Sequence, residues 1–202
     1  DGADTDDTVG EPTRLDGLSG VVYVDSGSIQ GITLSGSGSV YYWPSAPDSG
    51  IDTKAKQDSL SCTATEVSAG GGSGGAQSFW CAITVCTDGT NNVECWGDGG
   101  DYKLGQGSSS TDHWSTPVAV DGLPTGNYTE LSCGYFGSCV VVDGTSAWCW
   151  GWNNQYSLGD GTTNNGVVVE VQGLSEAVVN TVEVGYLTAC ASVGSTGKVE
   201  CW

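Results

Sequence analysis

The sequence predicts an all-β fold of tandem propeller-type blades, arranged as a partial or open propeller. Three observations predict it. A tryptophan recurs at a fixed interval, two further sequence markers recur in register with it, and the segments between markers consist of short strands and turns. The 202 residues are therefore interpreted as one array of four repeats of about 53 residues each.

The first marker is a strand end that closes on tryptophan. It occurs four times, as Val40-Tyr41-Tyr42-Trp43, Val93-Glu94-Cys95-Trp96, Ala147-Trp148-Cys149-Trp150 and Val199-Glu200-Cys201-Trp202. Periodic tryptophans are most simply core or blade-interface residues, so all four final tryptophans are assigned to the repeat core. Cutting the chain after each of them gives units 1–43, 44–96, 97–150 and 151–202.

Two other markers keep the same order. One is a Gly-Leu step, in Leu15-Asp16-Gly17-Leu18, Val120-Asp121-Gly122-Leu123 and Val171-Gln172-Gly173-Leu174. The other follows a tryptophan and ends on Leu-Gly, at Leu104-Gly105 and Leu158-Gly159. The segments between markers are rich in β-branched residues, as in 21–24 and 181–184, and Asp-Gly pairs mark turns. Each unit is expected to form three or four antiparallel strands, which must stack on a neighbour to bury their apolar face.

The markers resemble the repeats of the regulator of chromosome condensation family, including alpha-tubulin-suppressor-like proteins. The matching residues are the two Leu-Gly steps, the run 160–163, the run 116–123 and the closing Cys-Trp. The resemblance implies blades of a β-propeller, which in this family usually closes with seven blades. The second unit departs from the pattern, because both connecting markers are lost and a Gly-rich insertion from Ser68 to Ser78 is expected to form a flexible loop.

Nine cysteines suggest an oxidising compartment. Each of the last three units has a cysteine entering a hairpin and one leaving it, which predicts the pairs Cys81–Cys95, Cys139–Cys149 and Cys190–Cys201. The first unit carries Gly31 and Tyr42 near those places, so it lacks both partners together. Three cysteines are left over, so at least one is unpaired within the chain. Their roles stay open between a disulfide, a bond to another chain, a free thiol and a buried core thiol: Cys62, Cys86 and Cys133.

The formal charge of −19, from 24 acidic and five basic residues, argues against binding nucleic acid or anionic membranes. Apolar runs are too short for membrane insertion. The acidic residues indicate either cation binding or a solvated surface. No cofactor is expected. Calcium is the metal whose preferences best suit the acidic clusters at Asp1–Asp7 and Asp98–Asp101, although neither has the spacing of an EF-hand loop.

Catalytic signatures are missing from the sequence, so the chain is not expected to be an enzyme. The one histidine, His113, lies beside Trp114 in a turn-rich segment, away from any nucleophile pattern. Four non-periodic tryptophans are candidates for an exposed carbohydrate-stacking surface: Trp80, Trp114, Trp148 and Trp152. Asn127-Tyr128-Thr129 is a sequon, which makes Asn127 a candidate glycosylation site.

These features favour a non-enzymatic structural repeat protein, placed outside the cell or on its surface. The four repeats lack one connector, so the chain is expected to be a subunit or fragment of a larger assembly. Unpaired edges at its two ends would then join to each other, to further blades, or head to tail between molecules as a filament. Expected partners are copies of itself, other extracellular structural proteins and glycans. The alternative is a secreted propeller module that binds carbohydrate or protein.

Overall fold

A computed structural model describes residues 17–28, 30–43, 55–72, 77–109 and 113–202. The described residues form fifteen strands in four antiparallel sheets, and each sheet is one blade. Blade 1 contains β1 (Val21–Ser26), β2 (Gly31–Ser35), β3 (Val40–Trp43) and β4 (Ala55–Gln57). Blade 2 contains β5 (Thr63–Gly71), β6 (Ser78–Val85), β7 (Asn91–Asp98) and β8 (His113–Ala119). A short 3-10 helix, Gly100–Tyr102, lies between β7 and β8.

The other two blades repeat this plan. Blade 3 contains β9 (Tyr128–Cys133), β10 (Gly137–Val142), β11 (Ser146–Gly151) and β12 (Val169–Glu170). Blade 4 contains β13 (Val179–Val184), β14 (Ala189–Val193) and β15 (Lys198–Cys201). Every sheet is a meander in chain order, and the fourth strand of blades 1 to 3 follows the strand that carries the recurring tryptophan, which is β3, β7 or β11. The predicted all-β array of propeller blades is confirmed, and the four sheets form an open array.

Each blade has two different faces, because neighbouring residues along a strand point in opposite directions. We call one the cysteine face, since it carries the cysteine pairs of blades 2, 3 and 4. The opposite face carries the recurring tryptophan and is called the tryptophan face. In blade 1 the place of the cysteine pair is taken by Ile32 opposite Tyr42. Gly31, which the sequence places near this position, lies one residue before Ile32 and opposite Trp43.

The cysteine face of each blade packs on the tryptophan face of the next blade. Three apolar clusters fill these interfaces. The first joins Ile32, Leu34 and Val40 of blade 1 to Val67, Trp80 and Trp96 of blade 2. The second joins Cys81, Ile83 and Val93 to Leu131, Val140 and Trp150, and the third joins Cys139, Val141 and Ala147 to Val182, Ala191 and Val193. The core therefore lies between the blades, as expected of repeats that cannot fold singly.

Three of the recurring tryptophans, Trp96, Trp150 and Trp202, lie in these interfaces, whereas Trp43 lies on the exposed tryptophan face of blade 1. Trp96 and Trp150 are buried, whereas Trp43 and Trp202 are half-buried. The Leu-Gly marker makes room for the tryptophan of the next blade. A Cβ atom on Gly105 would lie 3.1 Å from Cδ1 of Trp150, and one on Gly159 would lie 2.8 Å from Cδ1 of Trp202. Both glycines also have positive φ angles, so the marker serves the turn and the packing together.

Four disulfides join the strands. Cys81–Cys95, Cys139–Cys149 and Cys190–Cys201 each link two directly opposite residues, with Cα atoms 4.0 to 4.1 Å apart. These are the three pairs expected from the sequence. Cys62 and Cys86 form a fourth bond, which ties the entry to β5 to the end of β6. Cys133 on β9 is a free and buried thiol.

The Gly-rich segment of blade 2 differs from its prediction. Ser68 to Gly71 belong to β5 and are buried, so the expectation of a flexible loop was wrong for these residues. Residues 73–76 lie outside the described part of the chain. Trp80, one of the four candidates for an exposed surface, is instead fully buried on the tryptophan face of blade 2. Its Nε1 donates to the carbonyl oxygen of Gly31 across the interface at 3.2 Å, which explains how so large a polar ring is accommodated.

Candidate functional site

The first strands of the four blades surround a groove. β1 packs on β5, β5 on β9 and β9 on β13, so these four strands form the inner wall of the array. The groove has a volume of about 340 Å³, and its lining comes from all four blades. Most of the lining residues are polar or glycine, with Tyr23, Tyr135 and Tyr186 as the aromatic contribution.

One position on the inner strands ties each blade to the next. The position is defined by the residue opposite the first cysteine of the blade, or opposite Ile32 in blade 1, and it holds Asp25, Ser68, Ser132 and Glu183. Its side-chain oxygen accepts a backbone N–H from the next blade. The bonds run from Ala69 N to Asp25 Oδ2 (2.9 Å), from Cys133 N to Ser68 Oγ (3.0 Å) and from Val184 N to Ser132 Oγ (3.0 Å).

Hydroxyl and carboxyl groups at this position also bond to one another. Ser68 Oγ donates to Asp25 Oδ2 at 2.8 Å, and Ser132 Oγ donates to Glu183 Oε2 at 3.0 Å. Each of these two steps therefore joins one hydroxyl donor to one carboxylate, a charge-assisted pair. Because these groups are already engaged between blades, the inner wall is a structural seam as well as the groove surface.

A glycine follows this position by two residues in each blade, within β5 or directly after β1, β9 or β13. Gly27, Gly70, Gly134 and Gly185 occupy this place in the four blades. Here the backbones of neighbouring blades meet directly, since Gly71 N donates to Gly134 O (2.9 Å) and Tyr135 N donates to Gly185 O (3.1 Å). A Cβ atom on Gly70 would lie 2.5 Å from Gly134 O, and one on Gly134 would lie 2.3 Å from Gly185 O. Only glycine permits this approach.

The groove is acidic. Burial and the nearby carboxylates Asp25, Glu66, Glu183 and Glu130 raise the pKa of the Tyr23 hydroxyl. Burial is also the main cause of a raised pKa at Glu66, where the backbone N–H of Leu131 lowers it and the charge of Glu130 raises it further. The residues that line the groove within the described chain include neither lysine nor arginine.

Aromatic rings crowd one end of the groove. Tyr135, Phe136, Tyr186 and Trp152 form what we call the aromatic rim, with ring centroids of neighbouring pairs 4.4 to 5.2 Å apart. Tyr186 is 58% exposed. The Tyr135 hydroxyl donates to Gln77 Oε1 at 3.2 Å. The rim offers a partly apolar surface with hydroxyl groups at its edge.

The other surface candidates lie away from the rim. Trp114 is exposed on β8, whereas Trp148 is half-buried on β11 and its Nε1 donates to Ser146 Oγ at 3.1 Å. Asn127 is exposed just before β9, and its backbone N–H donates to Asp143 Oδ1 at 2.8 Å. Glycosylation of Asn127 stays a prediction. His113 is exposed, with its ring 6.4 Å from that of Trp80.

Of the two acidic clusters predicted as calcium sites, only the one at Asp98–Asp101 lies in the described part of the chain. Asp98 is paired with the buried Lys103, whose Nζ lies 2.6 Å from Asp98 Oδ2 and 3.8 Å from Asp101 Oδ2. This lysine supplies the positive charge that a metal would otherwise bring. Asp1–Asp7 lie outside the described residues. The described ranges contain no group of three or more His, Cys, Asp or Glu residues placed to hold a metal ion. Calcium binding stays a prediction.

The inner seam and the rim were missed at the level of sequence. A signal for them exists, because Gly134-Tyr135 and Gly185-Tyr186 are two copies of one Gly-Tyr step, spaced close to the repeat length. Gly27 and Gly70 keep the glycine without the tyrosine. A glycine that recurs within a strand marks a close backbone approach.

Comparison with known proteins places the fold. No family model matches the chain. Human E3 ubiquitin-protein ligase HERC2 is 26% identical over 201 residues, which is 95% of this chain and 4% of HERC2. The chain thus spans a very small part of its curated relatives. The structure of Prp20p from Saccharomyces cerevisiae, the yeast RCC1, superposes with a TM-score of 0.68 at 15% identity, over 90% of this chain and 44% of that one. The described blades have the fold of RCC1-type repeats.

Two further solved structures share this fold. Human WBSCR16 gives a TM-score of 0.72 at 17% identity, covering 90% of this chain and 46% of that one. The ectodomain of the receptor kinase CR4 from Physcomitrella patens gives 0.53 at 19% identity, covering 90% of this chain and 38% of that one. The four blades described above therefore match less than half of each larger array. Among the described residues, no helix has the length and apolar character needed to cross a membrane.

Proposed function

We propose that this array of RCC1-type repeats is a non-enzymatic, extracellular structural protein that works as a unit of a larger assembly. The single observation that carries the proposal is the exposure, at each end of the described array, of residues whose counterparts are buried at the internal interfaces. These residues lie on the tryptophan face of blade 1 and on the cysteine face of blade 4.

Equivalent valines show the difference at each end. Val24 of blade 1 is 66% exposed, whereas Val67, Leu131 and Val182 at the same place in the later blades are buried. Val199 of blade 4 is 68% exposed, whereas Val40, Val93 and Ala147 at its place in the earlier blades are buried. Covering a valine of this kind contributes roughly 1.5–3 kcal/mol. Two surfaces built for packing thus support a role in association.

The disulfides support an extracellular placement. Four disulfides in one chain are typical of an oxidising compartment, because the reducing conditions of the cytosol keep cysteines as thiols. The CR4 match shows that this fold is also used by an ectodomain. The absence of enzymatic activity is proposed because the polar groups of the groove are engaged in joining the blades, as Asp25, Ser68 and Ser132 are.

Light scattering coupled to size-exclusion chromatography tests the proposal. The purified chain is expected to show a mass that rises with concentration above that of one chain. Lysine at Val24 or at Val199 is expected to weaken this association without altering the melting temperature, because both side chains point to solvent in the single chain. A constant single-chain mass up to high concentration would refute the assembly role.

The aromatic rim favours a second candidate function, the binding of carbohydrate or protein at the groove. Stacked Tyr and Trp rings beside hydroxyl groups are the usual elements of a glycan-stacking surface. A glycan array tests this with Trp152→Ala and Tyr186→Ala. Trp114→Ala is the matched control, because Trp114 is an exposed tryptophan outside the rim. Loss of signal in the rim variants alone supports binding there, and no signal in the unaltered chain rejects it.

A further inference from the structure

We infer that Lys103 and Asp98 become joined by an amide bond between Lys103 Nζ and Asp98 Cγ, which the folded chain forms without a partner. Asp98 ends β7, and Lys103 directly follows the short 3-10 helix of blade 2. The inference concerns this internal connector and does not depend on the proposed assembly role. Its basis is a buried amine in contact with a carboxylate, beside groups that suit a condensation between them.

The reacting groups are held in contact and shielded from solvent. Lys103 Nζ lies 2.6 Å from Asp98 Oδ2, and the two side chains are 2% and 11% exposed. The lysine backbone is fixed on both sides, since its N–H donates to Gly100 O at 3.2 Å and its carbonyl oxygen accepts Trp150 Nε1 at 3.0 Å. Such positioning removes the entropy cost of bringing an amine and a carboxyl group together, which is the main advantage of an intramolecular reaction.

The fold does not require a charged pair at this place. Counted from the Leu-Gly marker, Asp98 and Lys103 correspond to Trp152 and Ser157 in the connector of blade 3. There Ser157 Oγ donates to the carbonyl oxygen of Trp152 at 2.7 Å, so an uncharged hydrogen bond spans the same turn. A buried ion pair stabilises a protein poorly compared with uncharged groups. The charged pair in blade 2 therefore calls for an explanation other than stability.

The reaction is a condensation that releases water. One proton passes from Lys103 Nζ to Asp98 Oδ2, which gives an uncharged amine and a carboxylic acid. Burial lowers the cost of this transfer, because two charges are expensive to keep away from water. The lone pair of Nζ then forms a bond to Cγ. Oδ2 leaves with its own proton and one from Nζ as a water molecule, and the amide keeps one hydrogen, so no oxidant or other reactant is consumed.

Two neighbouring groups suit this reaction. Gly100 N donates to Asp98 Oδ1 at 3.2 Å, the oxygen on which negative charge develops when Nζ attacks Cγ. Asp101 Oδ2 lies 3.8 Å from Nζ and is placed to carry the proton from Nζ to the leaving Oδ2. Asp101 holds this place with a φ of 55°, an unfavourable value for a residue with a side chain. The pair thus has a donor for the developing oxyanion and a proton carrier beside it.

Two exposed ion pairs provide internal controls. Lys56 Nζ lies 2.5 Å from Asp58 Oδ1, and Lys198 Nζ lies 2.5 Å from Glu176 Oε1. Their side chains are 39% to 69% exposed, so water solvates the charges and opposes the proton transfer. Both pairs are expected to remain ionic. They separate the effect of burial from the effect of contact alone.

Mass spectrometry of the purified chain after reduction and alkylation tests the inference. The chain is expected to be lighter than its sequence requires by the mass of one water molecule. Chymotryptic cleavage after Tyr102 is expected to leave the two flanking peptides joined, whereas the peptides with Lys56 and Lys198 keep their full masses. A chain at its full mass overturns the inference and leaves the assembly proposal untouched.

A succinimide at Asp98-Gly99 would also release one water, because the backbone nitrogen of Gly99 can attack the same Cγ. Lys103→Arg separates the two products, since arginine keeps the positive charge but lacks the reactive amine. Lys103→Arg is expected to show the full mass, and the matched control Lys56→Arg is expected to keep the loss of water. Thermal melting checks that both variants are folded. A loss of water that persists in Lys103→Arg overturns the inference.

A time course after cell-free synthesis tests the part assigned to Asp101. Asp101→Asn keeps the size of the side chain but cannot carry the proton as a carboxylate does. Its loss of water is expected to be slower than that of the unaltered chain by about a hundredfold or more. Equal rates would overturn the role of Asp101.

Discussion

Gly134 and Gly185 lie so close together that a Cβ atom on Gly134 would stand 2.3 Å from the carbonyl oxygen of Gly185. Gly134→Ala is therefore expected to separate blades 3 and 4, with a loss of at least about 2 kcal/mol in the free energy of unfolding. Gly185→Ala is the internal control. Gly185 holds the same repeat position but does not contact a following blade, so its replacement is expected to lower the free energy of unfolding by no more than about 0.5–1 kcal/mol. Denaturant titrations of both variants check this, and equal losses would contradict the blade contact.

The buried thiol of Cys133 is expected to be chemically silent. Burial raises its pKa from the usual 9.0 to about 12, which lowers the thiolate fraction about a thousandfold near neutral pH. A thiol reagent such as DTNB is expected to detect no group in the native chain and one per chain in guanidinium. The signal should vanish in Cys133→Ala. A rapid reaction of the native chain would show that β9 opens readily.

The exposed disulfide is expected to be reduced before the buried ones. Cys201 is exposed on the open face of blade 4, whereas Cys81–Cys95 and Cys139–Cys149 are sealed between blades. Exchange requires access of a thiolate to sulfur. Limited treatment with dithiothreitol, followed by alkylation and mass mapping, should label Cys190 and Cys201 before the cysteines of these two sealed disulfides. Early labelling of Cys139 would indicate that the blades separate in the native state.

Glu66 is expected to make the free energy of unfolding depend on pH. Its pKa is raised by burial, so the folded chain binds its proton more tightly than the unfolded chain does. The stabilisation is therefore present at low pH and is lost as the pH rises from about 4.5, the ordinary value of the carboxyl, through the raised pKa. Glu66→Gln removes this dependence. As the pH rises from acidic to neutral, the free energy of unfolding of the unaltered chain should fall relative to that of Glu66→Gln. A difference that stays flat would contradict it.

Much of the fold is readable in the sequence, because the interfaces repeat. Tryptophan recurs since one ring fills the same space at each step, and cysteines recur since β-strand partners lie opposite one another. Trp80 was misplaced for a reason outside its own repeat. Its ring nitrogen donates to the carbonyl oxygen of Gly31 in the neighbouring blade, a partner that lies 49 residues away in the sequence.

The register of blade 1 and the inner seam were harder to foresee. With no cysteines in blade 1, its alignment rested on counting from the tryptophan, and the choice between Gly31 and Ile32 depends on how β2 pairs with β3. The seam does not form a sequence motif, because the residues at its repeated position share an acceptor oxygen but not a residue type. These residues are Asp25, Ser68, Ser132 and Glu183. Equivalent positions of this kind emerge once strand pairing is known.

The two unlike faces of a blade also give the array a direction. Each step presents a cysteine face to a tryptophan face, so no blade can meet a copy of itself face to face by the same contact. A dimer in which one of these faces packs on the same face of a copy is therefore excluded. Head-to-tail contacts through the two faces either close into a ring or form an open complex with a distinct leading and trailing end. Capping one end with a single altered blade would stop growth there and leave the other end active.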